Sequence, residues 1–104
     1  MADEARVLDA LGDPTRRAVL ELLRGGERSV RELTDATAVS QPAVSQHLRV
    51  LRDAGLVSVR PVGTRRLHAV DLDGLAGLRA WVDRFWDDAL SAFVAHADQG
   101  GDRR

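Results

Sequence analysis

Helix stops and starts cut the first half of this 104-residue chain into short pieces, and that punctuation limits the folds open to it. Residues 4–11 place Val7, Leu8 and Leu11 on one helical face. Gly12-Asp13-Pro14 then breaks and restarts the chain. Asp13 suits an N-cap, and Pro14 fits a first helical position that needs no amide donor. A helix over 14–24 turns Ala18, Val19, Leu22 and Leu23 inward and stops at Gly25-Gly26. Ser29 and Glu32 have the spacing of a capping box, which predicts a short helix over 30–36 with Val30 and Leu33 inward. After Thr37-Ala38-Val39, Ser40 is a second N-cap. The helix it opens, 41–53, tolerates Pro42 in its first turn, buries Val44, Leu48 and Leu51, and ends at Ala54-Gly55.

Two segments of period-two alternation follow, 56–60 and 65–70, separated by Pro61-Val62-Gly63-Thr64, and they predict a β-hairpin. Asp71 or Asp73 then caps a long helix over 73–97. The expected order is four helices, a hairpin and a last helix, in one domain over 1–98 with a frayed tail at 99–104.

Composition narrows the function classes. With 44% hydrophobic and 30% charged residues the chain is globular rather than disordered. No apolar run approaches the roughly 20 residues of a membrane span, and the acidic start has no basic flank leading into an apolar stretch, so a cytoplasmic protein is expected. There is no cysteine, which removes disulfides, thiol redox sensing and thiolate metal sites. No nucleophile elbow, phosphate loop or Ser-His-Asp arrangement is present, so neither an enzyme nor a bound cofactor is expected.

Charge is divided along the chain. Residues 14–70 hold ten Arg against five acids, a balance of +5, while the rest holds five Arg against eleven acids, or −6. A basic middle between acidic ends suits one face for a polyanion; unevenly charged solvated surface is the plainer alternative.

The two short helices from Ser29 to Asp53 read as a helix-turn-helix, with Ser40 to Arg52 as the recognition segment. Ser40, Gln41, Pro42, Ala43, Ser45 and Gln46 are types that suit a major groove: Gln can pair with adenine, Ser can donate or accept, and Ala or Pro can meet the thymine methyl. Arg49, Arg52 and His47, on one flank, suit phosphates. An ordinary polar helix face would carry i,i+4 acid–base pairs, and this one has no acid before Asp53. The hairpin becomes a wing, with Arg60, Arg65 and Arg66 around a narrow Gly63-Thr64 tip that fits a minor groove. Arginines on an edge hairpin can also serve only to block sheet aggregation.

The last helix carries too much apolar surface for one small core. Both Trp and both Phe of the chain lie in it, at Trp81, Phe85, Trp86 and Phe93, and the apolar positions exceed a single stripe. Leu78, Val82, Phe85, Trp86, Ala89, Leu90 and Phe93, aided by Val7, Leu8 and Leu11, are therefore candidates for a two-fold dimer interface. Such a homodimer matches a pseudo-palindromic site on double-stranded DNA.

Residues 11–17 (Leu-Gly-Asp-Pro-Thr-Arg-Arg), the long match from Ser40 to Leu56, and Gly63-Thr-Arg-Arg66 together resemble the ArsR/SmtB family of winged-helix repressors over nearly the whole chain. The stretch from Leu75 to Trp86 is similar to the metal-independent, SdpR-like branch. The resemblance implies a winged helix-turn-helix fold, mainly α with a β-hairpin wing, dimerised through the first and last helices. It also implies operator binding and repression, often of the protein's own operon.

The departures concern the signal. Where metal-sensing members carry Cys-Val-Cys, this chain has Ser29-Val30-Arg31. The last helix offers Asp83, Asp87, Asp88 and His96, a poor set for zinc-like ions, so no metal site is expected. His47 and His68 read as polar surface groups. The alternatives are a metal- or ligand-responsive repressor with a different site and an unknown effector, or a winged-helix module that binds protein.

Overall fold

The computed structural model describes residues 4–99. Helices α1 (Glu4–Ala10), α2 (Pro14–Leu22), α3 (Val30–Asp35) and α4 (Gln41–Asp53) precede the hairpin strands β2 (Val57–Val62) and β3 (Arg65–Val70) and the last helix α5 (Leu72–Gln99). A two-residue strand β1 (Arg28–Ser29) lies between α2 and α3. The tail expected at 99–104 lies outside the described residues apart from Gln99.

The caps act as their chemistry requires. Asp13 accepts from the Thr15 amide, and Ser40 accepts from the Ala43 amide at 3.3 Å. Ser29 and Glu32 complete both halves of the box, at 2.8 and 3.2 Å. Asp71, rather than Asp73, caps α5, accepting from the Asp73 and Gly74 amides.

The core gathers Val7, Ala10, Val19, Leu23, Leu33, Val44, Leu48, Leu51, Ala54, Leu56 and Val57 around α4. Ala18, expected inside, is exposed. Val19 and Leu23, four residues apart, define the inward face of this segment, and Ala18 falls about 100° off it. The helical path also tightens into a 3-10 turn at Leu23–Gly25 instead of continuing to residue 24.

The hairpin is longer and better paired than the sequence indicates. Pairing runs to Pro61↔Arg66 and Val62↔Arg65, leaving a two-residue Gly63-Thr64 turn. Gly63 takes φ +61, as a type II′ turn needs at its first position. Pro61 is tolerated because β2 is an edge strand in the order β1-β3-β2. β1 adds the third strand through Arg28↔His68 and Ser29↔Leu67.

α5 projects from this body. The molecule measures 65 × 27 × 22 Å, and its 18.4 Å radius of gyration exceeds the roughly 13 Å of a compact chain of this length.

Ser29 is buried and serves β1 and α3 together. Ser29→Ala is expected to cost about 1 kcal/mol of stability, read from urea unfolding; an unchanged midpoint would show that the cap contributes nothing.

Candidate nucleic-acid interface

α4 lies between two environments. Val44, Leu48 and Leu51 are fully buried, which turns Gln41, Pro42, Ser45, Gln46, Arg49 and Arg52 to solvent with Ser40 at the cap. Ala43, expected on the open face, is half-buried. His47 departs from its expected place among the phosphate-facing groups. Its side chain is 19% exposed, with Nδ1 3.5 Å from Asp13 Oδ2 and no hydrogen bond. It packs α4 toward the start of α2.

The wing presents Gly63, Thr64, Arg65 and Arg66 to solvent. Arg60 is also exposed but already engaged: Nη2 donates to Glu27 Oε1 at 2.8 Å, and Nε donates to Oε2. That bidentate bridge holds the Glu27 carboxyl below its ordinary pKa. It ties the wing to the loop before β1. Sequence spacing gave no hint of it, since the partners are 33 residues apart.

The arginines of the basic middle differ in what they already hold, and Arg24 is paired with Glu21. Arg16 and Arg17 donate to the Ala10 and Leu11 carbonyls at 2.7 and 2.6 Å, and Arg28 donates to the Leu22 carbonyl at 3.1 Å. Among the described residues, the guanidinium groups of Arg49, Arg52, Arg65 and Arg66 form no hydrogen bond or salt bridge within the chain. These four cations, and Arg31 on α3, which is likewise unpaired, are open to an external anion.

His68 corrects a second expectation. It is 5% exposed, on the middle strand opposite Arg28 and Val59, and its Nδ1 has no partner. Alternation places it on the inner face with Val70. Burial, then the nearby Arg52 charge, holds its pKa below the ordinary His range, with the Arg28 backbone pulling the other way.

No group of three or more His, Asp or Glu among the described residues is arranged to hold a metal ion. No helix among them is long and apolar enough to cross a membrane.

Of the candidate interface residues, Val7 is buried in the protomer core and is not open to a partner. Leu11 and Leu78 are half-buried against that core. Leu8, Val82, Phe85, Trp86, Ala89, Leu90 and Phe93 are exposed, reaching 63% for Phe85 and Trp86 and 69% for Phe93. Trp81 stacks on Phe85 with centroids 5.6 Å apart, at the root of this face.

The sequence profile of the bacterial regulatory protein arsR family matches residues 13–59, the span from the α2 cap into β2. The HTH-type transcriptional regulator Rv2034 of Mycobacterium tuberculosis is 50% identical over 97 residues, covering 93% of this chain and 91% of the relative. The chain belongs to the ArsR family. The transcriptional repressor SdpR of Bacillus subtilis is 38% identical over 79 residues, 76% of this chain and 88% of that protein. In structure, the chain matches the homodimeric winged helix-turn-helix DNA-binding domain of a Mycobacterium bovis protein at TM-score 0.66 and 36% identity, covering 81% of this chain and 78% of that one. This ArsR-family chain is thus a winged helix-turn-helix, DNA-binding transcriptional regulator, as its recognition segment indicated.

Because the folded pKa of His68 lies below the unfolded value of about 6.5, the unfolded chain binds more protons at mildly acid pH. Stability is expected to be full above that value and to fall as pH drops below it. His68→Gln should flatten the slope between roughly pH 7 and 5.5 in thermal melts; an equal slope in both proteins would remove His68 as its source.

Proposed function

We propose that this regulator acts in the cytoplasm as a homodimer that binds a pseudo-palindromic operator and represses transcription from it, its own promoter included. The observation that carries this reading is the α4 surface. Gln41, Ser45 and Gln46 lie open beside uncommitted Arg49 and Arg52, on a helix whose other side is locked in the core. Groove-reading and phosphate-holding groups are thereby presented from a rigid base. Repression is favoured by the likeness to a relative named as a repressor, and dimerisation by a structural neighbour described as homodimeric. The exposed aromatic face of α5 supplies a reason for this chain to pair. With no cysteine in the chain, release of the operator does not run through a thiolate-bound metal.

In this dimer α4 of each protomer enters the major groove, with the half-sites about one helical turn, roughly 34–36 Å, apart. Arg65 and Arg66 hold the wing on the backbone or in the minor groove. Arg60 braces the wing through Glu27 before it meets phosphate.

Selection of the purified protein against random duplex DNA tests the reading: a two-fold symmetric enriched site is expected, and no enrichment at low and moderate salt would sink it. On that site, Gln41→Ala, Ser45→Ala and Gln46→Ala should each lose about 1–3 kcal/mol of base discrimination where the side chain reads a base. Arg65→Ala with Arg66→Ala should instead weaken all sequences alike and reduce the salt slope by about 1 for each phosphate no longer neutralised. An unchanged sequence preference, or an unchanged slope, would remove the corresponding group from the interface.

Phe93→Ala and Trp86→Ala should shift the protein toward monomer in sedimentation, with helical content retained. The same oligomer in both variants would count against α5 as the interface.

A further inference from the structure

Both helices assigned to dimerisation bear on one place, the C-terminal end of α4. From α1, Arg6 Nη1 donates to the Asp53 carbonyl at 3.3 Å. From the other side comes the first turn of α5. The recognition helix closes in a Schellman arrangement: the Leu56 amide donates to the Leu51 carbonyl and the Gly55 amide to the Arg52 carbonyl, both at 2.9 Å. Gly55 takes φ +84 there. The Asp71 amide donates to the Leu56 carbonyl at 2.9 Å, while the Asp71 side chain caps α5. One residue thus clamps the start of α5 to the turn that ends α4.

Gly74 is buried in that clamp. A Cβ added to it would overlap the Gly55 carbonyl oxygen, 2.7 Å from the carbonyl carbon and 3.5 Å from Leu56 N. These are backbone atoms fixed by hydrogen bonds, so they cannot swing aside as a side chain could. At Gly77, one turn on, a Cβ would meet open space.

We infer that the Gly55–Gly74 backbone contact sets the angle between the dimer helix and the recognition helix, making Gly74 a positioning residue for operator half-site spacing. The inference rests on the dimeric reading above. In a two-fold dimer, the separation of the two α4 helices follows from how each is held on its own α5. A methyl group at position 74 forces α5 back from the α4–β2 turn. The next anchor of α5 is Leu78, packed against the core, so the displacement becomes a tilt. That tilt is carried along the remaining helix, about 30 Å at ~1.5 Å per residue.

The test measures affinity for duplexes carrying the two selected half-sites, separated by spacers varied one base pair at a time. Wild type and the control Gly77→Ala should share one optimum. Gly74→Ala should still dimerise, yet shift its optimum by about one base pair or more and bind the wild-type spacing about tenfold more weakly. Its affinity for an isolated half-site should match wild type, which a merely unfolding substitution would not allow. A folded, dimeric Gly74→Ala protein with the wild-type optimum overturns the inference. A wild type that enriches no symmetric site overturns the dimeric reading, and this inference with it.

Should Gly74→Ala fail to fold, the cysteine-free sequence permits a second measurement. Ser58→Cys, exposed on β2, takes one spin label per protomer. A rigid joint predicts a single narrow inter-label distance that operator DNA leaves unchanged. A broad distribution that narrows only on DNA would overturn it.

Discussion

The structure depends on a single helix that serves the core with one side and solvent with the other. Val44, Leu48 and Leu51 recur at i, i+4 and i+7 on α4 and are buried among residues from α2, α3 and β2. Their burial is worth about 5–9 kcal/mol in transfer terms, comparable with the net stability of a whole small domain. The backbone that carries the outward residues of α4 is therefore held by core packing on its other side. The Cα–Cβ direction of Gln46 or Arg49 is fixed by the buried face of the helix, while the exposed side chain beyond it still turns between rotamers. For a protein that must hold several groups in register against a duplex, a rigid base is the main structural requirement.

Much of this architecture was legible in the sequence because its boundaries rest on local chemistry. Asp13, Ser29, Ser40 and Asp71 each satisfy amides within three residues of themselves, so their roles follow from spacing alone. What escaped reading depends on contacts distant in sequence. Strand β1 is two residues long and has no period to detect; it exists because β3 offers it a free edge. Val7 and Leu8 are adjacent apolar residues on a short helix, and only the packed body decides that Val7 goes inside and Leu8 faces out. His68 sits between Leu67 and Ala69, and the alternation that predicted the strand also put it on the inner face with Val70. Its polar side chain obscured that. The inward place of His47 depends on Asp13, the N-cap of α2, which is distant in sequence.

The candidate interface was legible in composition and less so in detail. A count of arginines treats every guanidinium alike, whereas the fold assigns them different work. Arg16 and Arg17 satisfy carbonyls at the end of α1, where helix geometry leaves acceptors without donors. Arg28 does the same at the end of α2, and Arg60 is bound to Glu27. The basic middle of the chain is partly internal scaffolding, and the cations left for an outside partner are Arg31 on α3 and the four on α4 and the wing.

The exposed face of α5 has a consequence for the quantity of protein a cell must make. Phe85, Trp86 and Phe93 project into water in the single chain, on a helix that stands away from the body. If two chains must pair through this face before either can hold an operator, the supply of competent binder at low abundance rises with the square of chain concentration. A small change in synthesis then produces a larger change in promoter occupancy. The threshold of such a genetic switch would be set by the strength of a greasy helix contact, far from any base pair. Substitutions there could retune expression without altering which sequence is read.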